Sequence, residues 1–204
     1  MTELKTPEYF IENIVAPVCN NDISITDAFR KIPRALFIDE GMRRKAYEDK
    51  ALPIGMGQTI SQVTTVVTML HALELSKDDV VLEIGSGSGF VTALLSRLAR
   101  YVYAVERIPQ LMEKSRKIIK SLRITNIKLK MDDGGKGWSE FAPFNKIIVS
   151  AGAKKYPDEL LNQLADGGIL IIPLNDILMK YMKKDGQITQ AQIAGVSFVD
   201  FVGN

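Results

Sequence analysis

At 204 residues the chain is long enough for one well-buried α/β domain with an appendage and short for two. Apolar residues make up 46% and charged residues 25%, which places it among ordinary globular proteins. The 26 lysines and arginines against 24 acidic residues leave a net +2, so no strong field argues for nucleic acid or an anionic membrane as partner.

The chain opens Met1-Thr2-Glu3-Leu4-Lys5, without the apolar core and cleavage site of a leader. No apolar run approaches the roughly 18 residues of a membrane span. Tyr9, Phe10, Ile11, Ile14 and Val15 form an apolar helical face over residues 7–15. Cys19, the single cysteine, excludes an internal disulfide framework and is compatible with a reducing compartment, so a cytoplasmic protein is expected. A second short helix is expected from Ser24 or Thr26 to Ile32, either hydroxyl serving as N-cap, with Pro33 ending it. Residues 33–61 read as an irregular segment in which Arg43-Arg44-Lys45 is solvated surface. A loop this long in a compact domain is functional or misassigned. Its aromatics, glycines and hydroxyls favour function.

A helix follows from Gln62 to Leu75, with Val63, Val66, Val67, Leu70 and Leu73 on one side. Ser61 stands at its N-cap, and capping is the plain alternative to any chemical role. His71, within the same helix, reads as structural.

Val80-Val81-Leu82-Glu83-Ile84 is an apolar run feeding Gly85-Ser86-Gly87-Ser88-Gly89-Phe90, with glycine at every second position. Val91, Leu94, Leu95 and Leu98 then recur at helical spacing. Strand, glycine loop and helix make the opening turn of a nucleotide-binding α/β sheet. The dinucleotide pattern wants glycine at the first, third and sixth places, and the sixth place here is Phe90. A P-loop wants Gly-Lys-Ser/Thr, which is missing. Glu83 beside the loop repels a pyrophosphate and suits a cationic ligand or one rich in hydroxyls and amines. The next strand, Tyr101 to Val105, ends in Glu106, where a ribose-binding acid sits in this layout. Two acids around a glycine loop favour S-adenosylmethionine, which carries a sulfonium and no phosphate. The plain alternative is a generic strand-to-helix turn with a stray acid.

Alternating units continue. Gln110 to Leu122 reads as a helix, and Ile127 to Met131 as a strand closed by Asp132-Asp133-Gly134, with Trp138 in the following loop. The face from Lys114 to Arg123 is solvated surface. Lys146 to Ser150 is a strand, Pro157 to Leu164 a helix stopped by Gly167-Gly168, and Ile169 to Leu174 the fifth strand. Lys184-Asp185-Gly186-Gln187 reads as a turn between two β-like runs, with Val196 to Val202 as the last strand. The expected fold is α/β: a mostly parallel sheet with an antiparallel C-terminal end. It is organised as one domain, with residues 1–61 as cover and lid, 62–175 as cofactor-binding core and 176–204 as antiparallel strands. Ile84-Gly85, Glu106, Asp132-Asp133 and Ser150-Ala151 all lie at carboxyl ends of strands, so they converge on one crevice.

Several stretches together resemble the protein-L-isoaspartate O-methyltransferase family. They are Ala46-Tyr47-Glu48-Asp49, Leu52 to Gln62, Val81 to Gly89, Val105-Glu106-Arg107-Ile108, and Asp133-Gly134 followed by Gly137-Trp138. The likeness runs from about Ile32 to Leu174, with a weaker echo in Val196 to Gly203. The glycine loop is common to many methyltransferases, whereas Gly57-Gln58-Thr59-Ile60-Ser61 is much more specific. The resemblance implies a Rossmann-like seven-stranded methyltransferase sheet with an N-terminal helical cover. It also implies S-adenosyl-L-methionine as cofactor, S-adenosyl-L-homocysteine as product, and isoaspartyl-containing proteins or peptides as substrate. Gly85, Ser86, Gly87, Ser88 and Gly89 would wrap the methionine part, Glu106 would hold the ribose hydroxyls, and Asp133 with Gly134 would face the adenine edge. Glu83 and Arg107 would belong to the same cofactor site. Gln58, Thr59, Ile60 and Ser61 would close over cofactor and substrate, Ser61 being the residue the family treats as its active site.

Four departures from the family pattern stand at Gln62-Val63-Thr64, Leu174-Asn175, Asp200-Phe201 and Asn145, and they are expected to cluster on the substrate side. An isoaspartyl α-carboxylate is ionised at neutral pH and attacks a sulfonium methyl without a general base, in keeping with a chain that has one histidine. Ser61 is therefore assigned to positioning. An enzyme methylating nucleic-acid amines would carry Asn/Asp-Pro-Pro-aromatic where this chain has Ser150-Ala151-Gly152-Ala153. A methyltransferase acting on another carboxylate or a small molecule, and a non-catalytic adaptor binding the cofactor or a damaged peptide, remain as alternatives.

Overall fold

The computed structural model describes residues 6–195. The chain begins with a helical run in three pieces: α1 (Pro7–Phe10), a π-helical turn (Ile11–Val15) and α2 (Ala16–Val18). α3 (Ile23–Lys31) follows. Its N-cap is Asp22, not the expected Ser24 or Thr26: the carboxylate accepts the N–H groups of Ser24 and Ile25 at 2.8 and 3.2 Å. Thr26 instead turns its hydroxyl back to the carbonyls of Asp22 and Ile23.

Residues 33–61 are more ordered than their composition suggests. Two 3₁₀ turns (Arg34–Phe37 and Glu40–Lys45) lead into a small antiparallel hairpin of β1 (Leu52–Gly55) and β2 (Gln58–Ile60). The tip, Gly55-Met56-Gly57, is left-handed at all three residues, which the two glycines make feasible. Arg43, Arg44 and Lys45 are exposed, as expected of a solvated cluster.

α4 (Val63–Ala72) packs its valine and leucine face inward, leaving His71 exposed. Then come the alternating units: β3 (Val80–Ile84), α5 (Phe90–Leu98), β4 (Tyr101–Glu106), α6 (Pro109–Ser121), β5 (Ile127–Met131), β6 (Phe144–Val149) and α7 (Asp158–Asn162). β7 (Leu164–Leu174), β8 (Ile177–Lys184) and β9 (Gln187–Gly195) close the sheet. The seven strands lie in the order β5-β4-β3-β6-β7-β8-β9, parallel from β5 to β7 and antiparallel thereafter. The expected last strand, Val196 to Val202, lies outside the described residues, as does the departure at Asp200-Phe201.

Gly167 and Gly168 do not stop a long helix: α7 ends at Asn162, and both glycines lie within β7. Gly167 takes a φ of +74°, and the pairing of β6 with β7 shifts register in this stretch. The glycines thus absorb an irregularity in the strand, a common use of glycine in sheets.

Both sheet faces are covered. Val81, Val102, Ile148 and Ile171 pack with the N-terminal helices, α4 and α5. Leu82, Val105, Ile147 and Leu170 pack on the other side with Trp138, Leu160 and Leu161. Strand β3 is buried on both faces, which is why it reads as a continuous apolar run interrupted only by Glu83. The strand order runs outward in opposite directions from β3 and β6. Their carboxyl ends therefore part to leave a crevice at the switch point, the place where open α/β sheets bind ligands.

Candidate active site

The crevice is floored by Gly85 and Gly87, walled by Glu106, Arg107 and Gly134, and roofed by Gln58 and Thr59 of the β1–β2 hairpin. The loop between β3 and α5 is held in shape by its own donors. The N–H groups of Gly85 and Ser86 go to the Val105 carbonyl, that of Gly89 to Ser86, and that of Phe90 to the Ser88 hydroxyl. Gly87 N–H donates to Glu106 Oε2 at 2.7 Å. A phosphate-binding loop aims such N–H groups at its ligand. Here those of Gly85, Ser86, Gly87 and Gly89 are already engaged, one of them by a carboxylate, which disfavours a pyrophosphate.

Glu106 is itself almost fully buried, and its other oxygen accepts the N–H groups of Arg107 and Ile108, both at 2.8 Å. Three backbone donors tie this acid to both strand ends, and a carboxylate has acceptor sites to spare beyond three. At Gly89 the φ is +83°, and an added Cβ would stand 2.8 Å from Ser115 Cβ on α6. Glycine there lets α5 and α6 approach each other.

Glu83 lies behind the crevice wall and not on it. It is fully buried, accepting the hydroxyls of Thr92 and, at 3.3 Å, of Ser150. Burial pushes its carboxyl up to about 7 against the pull of those two hydroxyls, and the charge of Glu106 adds to the rise. Ser150 does line the crevice, so Glu83 can reach a ligand only through it. Ser86 and Ser88 are buried within the loop, and Ser86 Oγ has no hydrogen-bond partner. Ile60 is a core residue rather than a wall residue. Asp133 faces a neighbouring cavity that shares Gly134 with the crevice, and it caps the turn after β5 by accepting Gly135 N–H at 3.0 Å. Ile54, Val105, Ile108 and Leu111, to which sequence reading gave no part in the site, supply apolar wall. Their signal was weak because any strand end or helix start in such a sheet is apolar.

Ser61 is half-buried beside β2, and its hydroxyl makes no hydrogen bond to the described residues. It does not cap α4. Gln62 occupies the N-cap position, and the free N–H of Thr64 is capped at 2.9 Å by Asp49 Oδ1, from the preceding loop. Asp49 Oδ2 also accepts Thr64 Oγ1 at 3.1 Å and Gln62 Nε2 at 2.9 Å. The departure at Gln62 thus has a structural use.

Two further departures are accounted for. Asn175 and Asp176 form the two-residue turn between β7 and β8 with φ of +50° and +62°. Asparagine is the residue after glycine that best tolerates this conformation. Asn145 sits at the opposite end of the sheet from the crevice, where its Oδ1 accepts Val80 N–H at 2.8 Å, so it does not belong to the substrate side as expected.

The family model described as "Protein-L-isoaspartate(D-aspartate) O-methyltransferase (PCMT)" matches residues 6–204. The chain belongs to this family. A protein-L-isoaspartate O-methyltransferase of Desulfotalea psychrophila is 47% identical over 186 residues, 89% of this chain and 87% of that one. The one from Hahella chejuensis is 41% identical and covers 100% of this chain and 98% of its own. Among solved structures, a Plasmodium falciparum putative protein-L-isoaspartate O-methyltransferase in complex with S-adenosyl-L-homocysteine superposes with a TM-score of 0.85 at 27% identity. The match covers 96% of this chain and 97% of that one.

Proposed function

We infer that this chain transfers a methyl group from S-adenosylmethionine to the free α-carboxylate of L-isoaspartyl residues in damaged proteins and peptides. The observation that carries this reading is the crevice itself, whose glycine loop has the N–H groups of Gly85, Ser86, Gly87 and Gly89 engaged within the protein and whose one lining acid, Glu106, keeps acceptor capacity for hydroxyl donors. These residues fit adenosylmethionine. Glu106 would accept the ribose hydroxyls. Ile54, Ile108 and Leu111 supply an apolar slot, and Gly134 marks the adenine end. Gly85, Gly87 and Ser150 would face the methionine part. The buried, unpartnered Ser86 Oγ is a polar group of the loop left over by the protein's own bonds.

When bound, the cofactor supplies an activated methyl on a positively charged sulfur. An isoaspartyl α-carboxylate, with a pKa of about 3.5, is ionised at neutral pH, so the chain has no proton to remove. The work left to its residues is to orient that carboxylate and keep the crevice dry. Alignment of this kind lowers barriers by as much as about 7 kcal/mol or more. Ser61, its hydroxyl uncommitted, is suited to donate to the carboxylate. A reducing cytoplasm is the setting we assign, in keeping with a lone cysteine, Cys19, that is buried and free. Among the described residues no helix is long and apolar enough to cross a membrane.

The test is transfer from methyl-labelled adenosylmethionine to a peptide carrying L-isoaspartate. Mild alkali should then release the label as methanol, because the product is an ester. Base-stable label would mean a nitrogen or carbon acceptor and overturn the assignment.

A further inference from the structure

Arg34 is the largest fully buried side chain in the described structure, at 1% exposure, yet it has no carboxylate in direct contact. Its guanidinium is engaged with main-chain carbonyls. Nη1 donates to Ala46 at 2.8 Å and to Glu48 at 3.5 Å, and Nη2 donates to Lys50 at 2.9 Å and to Ser61 at 3.0 Å. Burial pulls its pKa down to about 10 against the charge of Asp49, which leaves it protonated at neutral pH. A buried cation costs several kcal/mol unless its surroundings repay it. That cost is set here against the ordering of a loop with no ladder of its own.

The three loop carbonyls flank Asp49, and Asp49 holds Gln62 and Thr64. The backbone around Ser61 is therefore gripped twice: at its own carbonyl by Arg34, and one to three residues later by Asp49. The hydroxyl between the two grips is left free. The β2 residues that roof the crevice, Gln58 and Thr59, are held separately, by pairing with β1.

We propose that Arg34 and Asp49 are positioning residues for the acceptor side of the reaction, a two-point clamp that sets Ser61 in register with the incoming carboxylate. This rests on the functional reading above. Arginine is required because a planar fork can reach separated carbonyls at once, which a lysine ammonium cannot. A misplacement of about 1 Å in a positioning group can cost on the order of a hundredfold in rate.

The experiment compares wild type with Arg34→Lys and Asp49→Asn. It measures KM and kcat for an isoaspartyl peptide, the Kd for adenosylmethionine, and the folded fraction of each protein. In folded Arg34→Lys we expect a rise in peptide KM or a fall in kcat of about tenfold or more. Its affinity for adenosylmethionine should stay within about twofold of wild type, because the cofactor wall is held by other bonds. Asp49→Asn should move the same parameters in the same direction by less, and it decides the matter if Arg34→Lys does not fold. Wild-type kinetics in a folded variant, or an equal loss of cofactor and peptide binding, would overturn the clamp while leaving the function standing. A wild-type protein that binds the cofactor but methylates no isoaspartyl peptide would overturn both, since the clamp would have nothing to position.

Discussion

At the residue scale, two acids that look alike in sequence are given different tasks by their surroundings. Glu106 meets three backbone N–H groups at the crevice wall. Glu83 is sealed behind Ser150 with hydroxyls for company. Spacing to the glycine loop marks both positions, but spacing carries no information on depth, so the difference between wall and interior was not legible. It leads to a pH dependence. The Glu83 carboxyl stands at about 7 in the folded protein against an ordinary 4.5, so the folded state holds this proton more tightly than the unfolded chain does. The stability it contributes is complete below about pH 4.5 and is lost as pH rises through about 7, a change of roughly 3 kcal/mol. Glu83→Gln lacks this titration. Urea unfolding at pH 5 and pH 8 should therefore show the variant gaining on wild type as pH rises. Parallel behaviour at both values would contradict the assignment.

At the scale of elements, the strand-loop-helix units from β3 to β6 were legible because each carries a strong apolar period bounded by glycine, proline or acid. The hairpin of β1 and β2 was not, though Gly55-Met56-Gly57 between two short apolar pairs was its available signal. Three or four residues per strand give too little alternation to stand out from a loop. The helix caps were misread for a related reason. Sequence proximity nominates Ser61 for α4, whereas the side chain that caps it comes from Asp49, fifteen residues before the N–H it accepts. The stability of Ser61→Ala and Asp49→Ala should differ accordingly. Loss of the Asp49 cap should cost about 1–2 kcal/mol in denaturant unfolding. Ser61→Ala should fall within about 0.5 kcal/mol of wild type, because no bond of its hydroxyl is lost, while methyl transfer per folded molecule drops. Equal costs would return Ser61 to a capping role.

At the scale of the whole molecule, the parallel sheet sets the address of the site. The reversal of strand order between β3 and β6 opens the crevice, and the hairpin is laid over it from the chain's first third, with the clamped Ser61 following directly after β2. The convergence of Gly85, Glu106 and Ser150 at strand ends could be anticipated from the alternating pattern alone. The inner support of the lid could not, since Arg34 reads as one more basic residue until its four carbonyl partners are known. The reaction assigned to the assembled crevice is methylation of a displaced main-chain carboxylate. It is tested most directly with two synthetic peptides of one sequence, alike except that one carries L-isoaspartate where the other carries aspartate. With adenosylmethionine present, methyl transfer should proceed to the isoaspartyl peptide and be absent with its twin. Equal transfer to both, or none to either while the cofactor is bound, would contradict the account.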